Sequence, residues 1–127
     1  MYQIDMMSRV PVYEQLISQT ERFIVLGILK EGDKMPSVRS LASSLSVNPN
    51  TIQKAFGMMD QKGLITSVPG RGCFVTKDAL SVVRAERRSQ LGGLKEMLKE
   101  LAIAGITREE LIACIDEVFP EKKEEKK

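Results

Sequence analysis

A chain of 127 residues has room for one domain, or one domain with a short appendage, around a single modest core. Its 43% apolar and 28% charged residues describe an ordinary globular protein, and no apolar run approaches the ~20 residues of a membrane span, so a cytoplasmic protein is expected. The net charge of +2 is unevenly spread: residues 32–77 hold six basic side chains against two acidic ones, while residues 79–127 balance at ten of each, so one part suits a polyanion and the other does not.

Histidine is absent, which removes the usual general base and the commonest metal ligand. The two cysteines, Cys73 and Cys114, form no CxxC pair. Neither an enzyme nor a metal site, cofactor or disulfide framework is expected.

Residues 1–10 show no clear period and read as an extended arm. From Pro11 to Leu29 the pattern is helical, with Tyr13, Leu16, Ile17, Thr20, Ile24, Gly27 and Ile28 on one broad face, and Lys30-Glu31-Gly32-Asp33 as stop and turn. Ser37 is placed to cap a short second helix that carries Leu41, Ala42 and Leu45 inward. Asn48-Pro49 is the clearest start in the chain, an acceptor side chain followed by proline at the first helical position. The third helix runs to about Lys62, burying Ile52, Ala55, Phe56 and Met59, and Gly63 closes it. Two β-prone runs, 64–68 and 73–76, flank the glycine-rich tip Pro69-Gly70-Arg71-Gly72.

Three helices and a hairpin, with the second and third helices about three residues apart, is the order of a winged helix-turn-helix. In that motif the second helix braces the third so that its first residues reach base edges in the major groove. Asn50, Gln53, Lys54 and Gly57 project from the face opposite Ile52, Phe56 and Met59. Asn and Gln pair bidentately with adenine, and lysine meets guanine or phosphate. Asn48 and Thr51 stand in the first turn, where free amides and the helix dipole attract phosphate. Arg71, between two glycines, is free to enter the minor groove.

A single long helix is expected over about 79–104, with Gly105 as its stop. Thr107 and Glu110 form a capping box for a last helix ending near Phe119. Leu91, Leu94, Leu98 and Leu101 recur at 3-4-3 spacing, a short seam that two copies of the chain can share, together with Ile112 and Ile115. Gly92-Gly93 marks a kink or hinge, or a close helix approach. Arg84, Arg87 and Arg88 read as a solvated helix face, Cys73 as a half-buried small residue, and Cys114 as core.

The expected fold is therefore mainly α with a small β-hairpin. A winged helix-turn-helix spans 1–78, a two-helix dimerisation region 79–119 and a charged tail 120–127. The partners are duplex DNA and a second copy of the chain. The alternative is a winged helix used for protein–protein assembly.

Several stretches carry a resemblance. Pro11-Val12-Tyr13-Glu14-Gln15, the run from Gly27 to Arg39 containing Met35-Pro36-Ser37-Val38-Arg39, the run from Val47 to Phe56, and Gly70-Arg71-Gly72 resemble the DNA-binding domain of the GntR family. The short C-terminal part, with Gly105-Ile106-Thr107-Arg108-Glu109-Glu110-Leu111, is similar to the YtrA subfamily. The resemblance implies a repressor binding an inverted repeat, often upstream of a transporter operon that includes its own gene. It implies DNA contacts at Arg39, Asn48, Asn50, Thr51, Gln53, Gly70 and Arg71. Many members carry arginine where Pro49 and Gln53 stand here, so base preference does not carry over.

Overall fold

A computed structural model describes residues 1–120; the charged tail expected from residue 120 lies, from 121 on, outside the described residues. Six helices and one hairpin follow in chain order: α1 (Val12–Val25), α2 (Val38–Leu45), α3 (Pro49–Lys62), β1 (Ile65–Val68), β2 (Gly72–Val75), α4 (Ala79–Ser89), α5 (Leu91–Ile103) and α6 (Arg108–Val118).

The periodicity places the end of the first helix at Leu29, but α1 stops at Val25. Gly27 turns left-handed at φ +79°, and the amides of Ile28 and Leu29 both donate to the Phe23 carbonyl, at 2.8 and 3.1 Å. The turn breaks the helical phase. Leu29 therefore enters the core, whereas Ile28, expected on the buried face, is 51% exposed.

The caps form as the local sequence predicts. Ser37 accepts the Ser40 amide at 3.0 Å, Asn48 accepts the Asn50 amide at 2.8 Å, and Gly63 closes α3. The connection between α2 and α3 turns at Ser46, the one non-glycine among the described residues at positive φ (55°). Both α1 and α2 pack on α3, which also packs on β1. Leu16, Ile52, Met59, Leu64, Ile65 and Val83 are fully buried where these elements meet.

The arm 1–10 is tied down rather than loose. Gln15 donates to the carbonyls of Asp5 and Val10 and accepts the Asp5 amide; Gln19 pairs with the Gln3 backbone in the same way. The Thr20 hydroxyl donates its proton to the Leu16 carbonyl, so the buried Tyr2 hydroxyl, 2.6 Å away, is the donor to Thr20.

β1 and β2 pair antiparallel, with Ile65 opposite Val75 and Val68 opposite Gly72. The segment read as a turn adds a third extended piece. Gly32 donates to the Val75 carbonyl, Val75 to that of Asp33 and Met35 to that of Cys73, at 2.8–2.9 Å, with Lys34 opposite Phe74. Alternation then points Met35 into the core and leaves Lys34 exposed.

Three corrections concern the C-terminal part. The helix expected over 79–104 is interrupted at Gln90, just ahead of Gly92-Gly93, giving α4 and α5. The boundary expected at 78 falls at Arg88, because α4 buries Ala79 and Val83 in the winged-helix core. The compact units are Met1–Arg88 and a second beginning at Ser89. In the second unit, Gly105 ends α5, and the Thr107–Glu110 capping box opens α6 with both of its hydrogen bonds. Neither α5 nor α6 contains a buried residue, and Cys114, expected in a core, is exposed.

Candidate nucleic-acid interface

The inner side of α3 is a hydrophobic wedge: Ile52, Ala55, Phe56 and Met59 are all buried. That burial fixes the rotation of the helix, so its other side is presented without choice. Asn48, Asn50, Gln53, Lys54 and Gly57 are exposed there, and Thr51 is half-buried at the edge. The Asn48 side-chain oxygen is committed to the cap, which leaves its amide nitrogen free to donate outward. Gln53 and Asn50, one turn apart, present two carboxamides on the same exposed side, a group whose chemistry allows bidentate pairing with adenine.

Lys54 is held in place. Its ammonium lies 4.0 Å from the centroid of the Tyr13 ring on α1, a cation–π contact that lays the side chain along the α1 surface. The Tyr13 hydroxyl donates to Glu14 at 3.2 Å; this bond and the carboxylate's charge raise the phenol's pKa, so the ring stays neutral beneath the ammonium.

Arg39 is exposed in the first turn of α2, two residues after the Ser37 cap. At the hairpin tip, Arg71 donates its amide to the Val68 carbonyl at 2.9 Å and its side chain is exposed. Gly72 has two constraints that the sequence does not reveal. Its φ is +116°, and a Cβ there would stand 3.1 Å from Cε of Lys34. The Lys34 stem thus lies across the bare backbone of Gly72, next to Arg71. Among the described residues, Lys34, Arg39, Lys54 and Arg71 have no carboxylate within 4 Å, a property they share with most of the chain's basic side chains outside Lys62, Arg87 and Lys99. Unpaired cations on a surface of this kind are available to an external anion.

The spacing of Lys34 from any other motif gave no reason to single it out. The third strand piece leaves no clear alternation in the sequence, since Met35 and Pro36 after Lys34 are both apolar.

Residues 12–75 match the sequence profile of the bacterial regulatory proteins of the gntR family. Over its whole length the chain is 38% identical to the HTH-type transcriptional repressor YtrA of Bacillus subtilis, covering 98% of that protein. The chain belongs to the GntR family. The YtrA subfamily resemblance holds with it, and the chain is a transcriptional regulator with a DNA-binding domain, not an enzyme. A GntR family transcriptional regulator from Listeria monocytogenes superposes on this GntR chain with a TM-score of 0.72, at 32% identity over 90% of this chain and 98% of the other. The DNA-binding domain of AraR, solved in complex with its operator ORX1, superposes with a TM-score of 0.52 at 30% identity, over 58% of this chain and 92% of that domain.

The remaining expected positions, Leu91, Leu94, Leu98, Leu101, Ile112 and Ile115, lie on α5 and α6. Leu98 and Leu101 are half-buried; the other four are exposed, Leu91 and Ile115 by 54% each.

Proposed function

We infer that this regulator represses transcription by occupying an inverted-repeat operator as a homodimer, with α3 of each copy in the major groove and each hairpin tip at the adjoining minor groove. The observation that carries the reading is the two-sided character of α3: one side is locked into the core, and the other presents Asn50, Gln53 and Lys54 from a capped N-terminus. Operator binding by the AraR domain, which shares this fold, supports it. Asn50 and Gln53 read bases, Lys54 reads a base or a phosphate, and Arg39, Asn48 and Thr51 grip the backbone. Gly70 lets the tip turn, and Arg71, with Lys34 beside it, holds the wing on the flanking groove.

The homodimer rests on the second unit. Helices with no buried residue, and with Leu91, Leu94, Ile112 and Ile115 exposed, do not stabilise themselves in water; a second copy of the same surface gives them an apolar partner. Dimerisation also doubles the sequence read, and a single half-site discriminates poorly against a genome. Work on the chromosome places the protein in the cytoplasm; no helix among the described residues is long and apolar enough to cross a membrane.

The test is the salt dependence of operator binding. Each phosphate neutralised contributes about one to the slope of log K against log salt, so Arg39→Ala with Arg71→Ala should flatten it by ~2 per half-site. An unchanged slope would place both side chains away from the DNA.

A further inference from the structure

The ring of Tyr13 on α1 stands between the hydrophobic core and the exposed side of α3. Tyr13 is half-buried and packs against the core, which holds the ring still. The Lys54 ammonium rests 4.0 Å from the ring centroid, where the electron density of an aromatic face attracts a cation. The Tyr13 hydroxyl donates to the Glu14 carboxylate at 3.2 Å, which enriches the ring in electrons and strengthens that attraction. Among the described residues no carboxylate stands within 4 Å of the ammonium. The ring therefore fixes the position of the cation without neutralising it, and the full charge is left for an external anion.

Position along α3 leaves two uses open to Lys54. By helical spacing Asn50 and Gln53 share one flank of the exposed strip, and Thr51 and Lys54 share the other. Lys54 also stands one turn from Asn50, so its backbone alone would let it reach the same bases. The ring decides between the two, because it draws the ammonium sideways onto α1. The major groove is about 12 Å wide, and an α-helix with its side chains is about 10–12 Å across. A helix lying in that groove fills it, so a charge laid to its side meets the sugar–phosphate wall and not the base edges. A free lysine also loses rotamer freedom when it binds, and one already resting on a ring loses less.

We propose that Tyr13 is a positioning residue for DNA binding: it holds the Lys54 ammonium aside, where it neutralises a backbone phosphate, and so leaves base reading on α3 to Asn50 and Gln53. The proposal rests on the reading above that places α3 in the major groove, and it assigns Lys54 to one of the two uses named there.

The experiment uses the full chain, an operator selected from random duplexes and a random-sequence duplex of equal length. Kd is measured over a salt series for the wild type, Lys54→Met, Tyr13→Phe, Tyr13→Leu and the Tyr13→Leu, Lys54→Met double variant. Lys54→Met should weaken binding by the same factor on both duplexes, leave the preference at every base pair unchanged, and lower the slope of log K against log salt by about 1 per half-site. Tyr13→Leu should weaken both about two- to fivefold per half-site, and should add no further loss once Lys54 is Met. Tyr13→Phe keeps the ring face and should stay within about twofold of the wild type. Proton NMR of the free protein reads the positioning itself. The ring shields the Lys54 ε-methylene, so its signal should lie upfield in the wild type and Tyr13→Phe, and return to the ordinary lysine position in Tyr13→Leu. A Tyr13→Leu loss that persists in the double variant would overturn the positioning role. A Lys54→Met protein that relaxes preference at one base pair with its salt slope intact would overturn the phosphate assignment, and this arm stands even where Tyr13→Leu fails to fold. Asn50→Ala separates the two levels. If it relaxes one base position while Lys54→Met leaves binding unchanged, this proposal alone falls; if neither changes binding, α3 lies off the DNA and the functional reading falls with it.

Discussion

Replacing Asn48 by alanine and by aspartate separates the stability of α3 from its contact with DNA. The Asn48 oxygen accepts the Asn50 amide at 2.8 Å in an exposed setting, so alanine leaves that amide to water and removes one helix cap. The usual cost is ~1 kcal/mol. For a unit of this size that corresponds to a fall in Tm of about 4–8 °C, felt by the whole unit because α1, α2 and β1 all pack on α3. Aspartate accepts the same hydrogen bond and carries a negative charge at the positive end of the helix, so its Tm should equal or exceed that of the wild type. On the operator the order reverses. A carboxylate ~6 Å from a phosphate, at an effective dielectric constant between about 20 and 80, costs about 1–3 kcal/mol, or about 5- to 150-fold in Kd at low salt. Calorimetric melting of both variants and a gel-shift titration on the selected operator measure the two effects separately. An Asn48→Asp protein that binds as tightly as the wild type would remove the first turn of α3 from the DNA surface. An Asn48→Ala protein with unchanged Tm would show that the cap contributes nothing.

Asn50→Ala should cost about 1–3 kcal/mol on the operator and relax preference at one base position; equal losses on operator and random duplex would make it a backbone contact. Leu98→Asp should give a monomer whose Met1–Arg88 unit melts normally but whose operator affinity is much reduced, as read by sedimentation and gel shift; a variant that stays dimeric with full affinity would contradict the shared seam. Stability should hold up to about pH 10 and decline above it. Burial raises the Tyr2 phenol above its ordinary 10.0. Burial by itself lowers the Lys62 pKa, but hydrogen bonds to Glu21 and Glu86, with their charges, outweigh it and raise the pKa above 10.5. The folded state thus favours the protonated form of both, and that preference is lost as pH climbs through the folded values. A Tm unchanged through pH 12 would refute it.

The elements legible in the sequence are those fixed by neighbours in the chain. Ser37 and Asn48-Pro49 start helices because the cap acceptor lies two or three residues from its donor, and Thr107 with Glu110 does the same for α6. The polar strip of α3 was legible because its opposite is an unbroken apolar stripe. What escaped depends on distant partners or on single backbone torsions. Gly27 and Ile28 continue the α1 period, yet the left-handed turn at Gly27 overrides it. The strand piece at 32–35 exists only because β2 is there to receive its hydrogen bonds. Arg87 reads as solvated surface until α1 brings Glu21 against it, and α4 reads as part of a long helix until Val83 finds the core. Cys114, apolar by its neighbours in sequence, is exposed because α6 has no core of its own in one chain.

Selection of bound duplexes from a random-sequence pool, followed by the stoichiometry of the winning complex, tests most directly whether this chain reads an inverted repeat as a dimer. The pool should converge on two half-sites related by a two-fold axis, their centres separated by about 10 base pairs or a multiple, with two chains on each duplex. A pool that never converges, or one chain bound to an asymmetric site with full affinity, would contradict it.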